Sequence, residues 1–217
     1  MAKPDFSARI NSLLAAESWN EAQRLLLSRQ KREPKSHWIV TQLAVTYYEQ
    51  RKYAEAYKLL LKSIQLVRDC PLTLWNLAGT CDALGKSNEA MQIYAWLIRS
   101  NKTAADDSCW ENDAWTAALK ADSVFRVSSI LEENGLSDAA RKGYLLYLDQ
   151  LGTGVDGVYS FDEVRRRLAR LPDDQDRSRA FDSMLTSAGL GKKRGSVNPP
   201  VPKLKLLDTL AGTASVE

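Results

Sequence analysis

A 34-residue period runs through the first half of this chain, and it limits the fold more than any other feature. Tyr53-Ala54-Glu55-Ala56 and Ser87-Asn88-Glu89-Ala90 share a Glu-Ala pair at that separation. Leu43-Ala44 and Leu77-Ala78 share a Leu-Ala pair, and Leu60 is matched by Tyr94. One further step back reaches Trp19, Glu21, Ala22 and Leu26. A unit this short cannot bury its apolar face alone, so neighbouring units must stack. The period defines repeats at about 3–36, 37–70 and 71–104.

Each repeat reads as two helices. Trp38, Leu43, Tyr47 and Tyr48 recur at helical spacing, and Tyr53, Ala56, Tyr57 and Leu60 do so after them. Arg51-Lys52, Gly85-Lys86 and Gly135-Leu136 fall at the breaks, where a left-handed residue ends a helix. Ser18-Trp19-Asn20-Glu21 has the form of a capping box. Ala22, Ala56 and Ala90 stand where two helices must approach closely, and a larger side chain would push them apart.

A fourth repeat is displaced. Gly135, Ala140 and Tyr144 match Gly85, Ala90 and Tyr94 at a separation of 50. This places an insertion near 105–120 and the fourth repeat at about 121–150. Asp106–Trp115 reads as a loop leading into an unusually long helix over Thr116–Asn134. Beyond it, Gly152-Thr153-Gly154-Val155-Asp156-Gly157 reads as a flexible connector. Ser160-Phe161-Asp162-Glu163 is a second capping box, opening a helix with Val164, Leu168 and Leu171 as its apolar stripe and Pro172 beyond it. That helix would cap the array, and a weaker one is expected over 174–188. Residues 151–190 are thus a linker with capping helices, and 191–217 are expected to be a disordered tail.

The 34-residue helix-turn-helix, with Leu77, Ala78, Gly85, Ala90 and Tyr94 at their places and Pro34 closing a repeat, resembles the tetratricopeptide repeat. The resemblance covers about residues 3–150, although Arg9 and Ile10 stand where the family usually has Leu and a small residue. It implies an all-α superhelix of stacked helix pairs whose first helices line a concave groove. The groove positions it implies are Trp38, Thr41, Val45 and Tyr48 in the second repeat, and Leu72, Trp75, Gly79 and Asp82 in the third. In the fourth they are Asp122, Phe125, Ser129 and Glu132. Trp38 and Trp75 have two readings, as binding surface or as core between repeats. Members of the family that grip an acidic C-terminus do so with Lys and Asn at set groove positions. Here those positions carry Ser7, Asn11, Gln42, Leu72 and Asn76, and only Asn11 agrees, so that mode is excluded.

Catalysis is not expected, and no cofactor or metal is called for. His37 is the one histidine and reads as a helix-start surface residue with no nucleophile arranged beside it. Cys70, Cys81 and Cys109 are odd in number and widely spaced, which fits neither a disulfide framework nor a zinc motif but does fit a reducing cytoplasm. No apolar run resembles a signal peptide or reaches the roughly 18 residues that span a bilayer. Residues 160–217 hold eleven Lys/Arg against eight Asp/Glu, while the first 159 hold nineteen of each. A neutral body argues against nucleic acid as a partner.

Arg165, Arg166, Arg167 and Arg170 on the capping helix form a basic run. Its ordinary reading is a solvated face, and its functional reading is contact with an acidic partner. Val201–Leu207 in the tail has the pattern of a short docking segment. The expected function is a cytoplasmic adaptor, scaffold or dedicated chaperone that holds another polypeptide in an aromatic groove. A structural subunit of a larger assembly is the second reading, and a nucleic-acid-associated regulator using the arginine helix is the third.

Overall fold

The computed structural model describes residues 5–102 and 109–172. Among them are nine α-helices and no strand. They are α1 (Phe6–Ala15), α2 (Trp19–Gln30), α3 (His37–Glu49), α4 (Tyr53–Leu66), α5 (Pro71–Ala83), α6 (Ser87–Arg99), α7 (Asp113–Glu133), α8 (Ser137–Gly152) and α9 (Phe161–Arg170). Residues 106–108 of the expected loop, the helix expected over 174–188 and the tail lie outside the described residues. No described helix is long and apolar enough to cross a membrane.

The chain forms two compact bodies that divide after Lys86. In the first, α1 packs on α2, α2 on α3, α3 on α4 and α4 on α5, and α3 also meets α5. In the second, α6 packs on α7, α7 on α8 and α8 on α9. Short connections from α1 through α5, and between α7 and α8, keep those sequential helices as neighbours.

The helix starts carry the sequence period. Trp19, Tyr53 and Ser87 open α2, α4 and α6 at intervals of 34, as His37 and Pro71 open α3 and α5. The long helix expected from Thr116 begins slightly earlier, at Asp113, and runs for 21 residues. Its start is set by Asn112, whose side-chain oxygen accepts from the Trp115 amide at 2.8 Å.

The turns between paired helices share one device. Glu17, Arg51, Gly85 and Gly135 have φ of 55°, 59°, 73° and 73°. A Cβ costs roughly 1–2 kcal/mol in this left-handed region, against about 0.5–1 kcal/mol of extra chain entropy for glycine. Arg51→Gly is therefore expected to stabilise the chain by about 0.5–1 kcal/mol in denaturant titrations. An unchanged or lower midpoint would contradict this account of the turn.

The same turn explains why Ser18 does not form the expected capping box. Its hydroxyl points back to the Ala16 carbonyl at 3.4 Å and makes no cap bond to α2. After a left-handed residue the N-cap sits at ψ near 60°: 54° at Ser18, 64° at Lys52 and 63° at Leu136. None of the three caps its helix with its side chain. Ser160, which follows no such turn, has ψ of 155° and does accept from the Glu163 amide, at 3.2 Å.

Ala22, Ala56, Ala90 and Ala140 are all 0% exposed, as close helix contacts require. Ala56→Leu should overpack this point and cost about 1–3 kcal/mol. A thermal melt matching wild type would show that the position has room to spare. The first body also buries Ile10, Leu26, Ile39 and Leu43 together, edged by Phe6, Leu14, Leu25, Trp38 and Leu59. In the second, α7 and α8 meet so closely at Gly143 that a Cβ there would collide with the Ser128 hydroxyl.

Candidate functional site

Two surfaces answer to the expected groove, one in each body. In the first, Trp38, Val45 and Tyr48 on α3 and Leu72 and Trp75 on α5 are half-buried. Their neighbours Ile39, Leu43, Leu74 and Leu77 are fully buried. Helical spacing explains the split, since residues three and four apart share a face while adjacent ones do not. Trp38 meets Phe6 edge-on at 6.3 Å between centroids and leans on the core of α1–α3. Tyr48 tilts against Tyr53 at 5.2 Å. Trp38 thus combines its two readings, with one flank in the core and the rest at the surface.

Thr41, on the same expected lining, is 1% exposed. Its hydroxyl lies 2.8 Å from those of both Ser63 and Thr73, which are 3.3 Å apart. Ser63 also donates to the His37 carbonyl at 3.1 Å. A buried hydroxyl must find partners, and the flanking helices α4 and α5 supply them. Thr41 therefore ties three helices together.

His37 has a neighbour that the sequence did not reveal. Cys70, the N-cap of α5, brings its sulfur within 4.8 Å of a His37 ring nitrogen. Burial pushes the Cys70 thiol up, but hydrogen bonding to His37 and Thr73 outweighs it and holds the thiol below its ordinary value. A histidine beside a cysteine at a helix start is how thiolates are stabilised. Cys70 as a whole is 3% exposed, so a bulky substrate does not reach it.

A thiol whose pKa is lower folded than unfolded stabilises the fold above the unfolded value. That contribution is lost as pH falls through the folded value. His37→Gln should therefore lower stability more near about pH 9 than near about pH 6. It should also raise the titration midpoint of the Cys70 Cβ carbon in NMR. A midpoint that stays put would remove the pairing.

In the second body, the α7 residues Asp122, Phe125, Ser129 and Glu132 lie along one helix face. That face is covered by the chain's own Val158, Tyr159 and Arg167. Phe125 is 1% exposed and stacks on Tyr159, with centroids 3.6 Å apart and planes at 12°. Tyr144 and Tyr147 each stand 5.4 Å from the same ring. The Asp122 carboxylate accepts from the Val158 amide at 2.9 Å and from the Tyr147 hydroxyl at 3.1 Å. Burial pushes this carboxyl up, and those two hydrogen bonds pull against it. The Tyr159 amide donates to the Tyr147 oxygen at 3.0 Å. Burial raises the Tyr144 and Tyr147 phenols far above their ordinary range, so both stay neutral.

Arg167 supplies the other end of the cover. It pairs with Glu132 at 3.0 Å, donates to Ser129 and Tyr144 at 3.3 Å each, and lies 5.3 Å over the Phe125 ring. Tyr144 donates to the same Glu132 oxygen at 2.5 Å. The chain just beyond the connector at 152–157 is therefore pinned at Val158 and Tyr159, because the buried Asp122 and Tyr147 need their backbone amides. Of the basic run, Arg165, Arg166 and Arg170 are exposed, while Arg167 faces inward. Arg165 lies over the Phe161 ring at 5.9 Å, and Arg166 donates to the Asp162 carbonyl at 3.2 Å.

Compared with known proteins, the chain matches no family model, and no curated protein matches it either.

Proposed function

We propose that the chain is a cytoplasmic protein-interaction module of the tetratricopeptide-repeat kind, an adaptor or dedicated chaperone that binds another polypeptide on the α3–α5 surface. The observation that carries this reading is the half-burial of Trp38, Val45, Tyr48, Leu72 and Trp75 beside fully buried neighbours. Aromatic rings held on a rigid helical base supply large contact area at low entropic cost, which suits them to anchor a partner. Helix starts spaced by 34 residues, and left-handed turns in the same period, support the repeat assignment. The bound partner would be an extended or helical segment with apolar anchors, since α3 and α5 themselves carry no Lys or Arg to grip a carboxylate. The odd set of three cysteines supports the cytoplasmic setting.

Affinity capture from the native cell, run in parallel with wild type and Trp75→Ala, tests the reading. A chain captured by wild type and lost with the variant supports it. A set of captured chains indifferent to Trp75 and Tyr48 rejects it. Capture that instead falls steeply with salt and follows Arg165, Arg166 and Arg170 would favour an acidic or nucleic-acid partner.

A further inference from the structure

We propose that residues 157–167 are a built-in ligand of the α7–α8 face, competing in cis with a partner segment that carries an aromatic residue and, eight positions later, an arginine. This goes beyond the partner surface proposed on α3–α5 and does not depend on it.

The contacts specify that chemistry. Tyr159 supplies a ring flat against Phe125, and Val158 and Tyr159 supply two backbone amides to Asp122 and Tyr147. Arg167 supplies a guanidinium to Glu132. Within α9 only Val164 is fully buried, and much of the helix is exposed. A few anchors in pockets with a solvated remainder is the anatomy of a peptide interface more than of a core helix. The tether suits release, because Gly152, Gly154 and Gly157 precede the anchors and Gly154 sits at φ 93°. At Gly157 the backbone passes so close over Tyr147 that a Cβ would collide with its hydroxyl. The occupied face is also the one that the repeat resemblance assigns to ligands.

Gly157→Ala should lift the strap without altering any residue of the face beneath. The probe is a fluorescent peptide with the sequence of residues 157–172, added to the full-length chain and followed by anisotropy. Wild type should bind it weakly, because its site is filled. If the strap is closed about nine-tenths of the time, Gly157→Ala should gain up to about tenfold in affinity. Arg167→Ala, which takes the guanidinium off Glu132 and leaves it bonded to Tyr144, should gain in the same direction. Adding Glu132→Ala to either variant should cancel the gain, and so should replacing the tyrosine and the inward-facing arginine of the probe by alanine.

The proposal is overturned if neither variant binds the probe more tightly than wild type while helical content is kept. The segment is then a permanent cap. It is equally overturned if both variants lose the helical signal of α7 and α8, since the body would then need the segment in order to fold. Neither arm involves α3 or α5. A failed Trp75→Ala capture would therefore count against the proposed partner surface and leave this result standing.

Discussion

Replacing Phe125 by alanine is expected to cost about 3–5 kcal/mol of folding free energy, the range for deleting a fully buried aromatic. Phe125 is 1% exposed and touches three tyrosines, which cannot close around a missing ring without leaving their hydrogen bonds. Tyr144 is held by Glu132, Tyr147 by Asp122, and Tyr159 by its own backbone contacts to Tyr147. The cavity should therefore persist, and its cost with it. Native-state hydrogen exchange of α7 and α8 amides reads the loss in the second body directly. A loss below about 1 kcal/mol would mean that the ring is replaceable and that the stack on Tyr159 contributes little.

Trp75→Ala and Tyr48→Ala should each weaken partner binding by about 2 kcal/mol or more, roughly 30-fold, while leaving helicity largely intact. The two effects separate because these side chains are half-buried, so truncation removes contact area that only a partner would fully desolvate. Circular dichroism melts and a binding assay on the same proteins decide the matter. Variants that melt several degrees lower and bind normally would place the rings in the core. Variants that melt and bind like wild type would exclude both roles.

The helical fold was legible because its determinants are local. Apolar spacing marked the helices, and α2, α4 and α6 begin where the 34-residue period puts them. Arg51, Gly85 and Gly135 stand in the left-handed turns, and the closely packed alanines are those picked out by repetition. Each of these properties is set within one helical turn, so a linear pattern carries it. The lining of the expected groove was legible only as a set of positions sharing a helix face.

What those positions meet was decided by tertiary structure. Thr41 and Trp38 lie one turn apart on α3, yet Thr41 closes a hydroxyl cluster with Ser63 and Thr73. Cys70 meets His37 from 33 residues away, and Val158 meets Asp122 from 36. Such pairings depend on the rotation and offset between packed helices, to within the few tenths of an ångström that a hydrogen bond tolerates. Periodicity along the chain does not encode that offset. The sequence alone determined which residues share a face, and only the packing of one helix on another determined which faces were already taken.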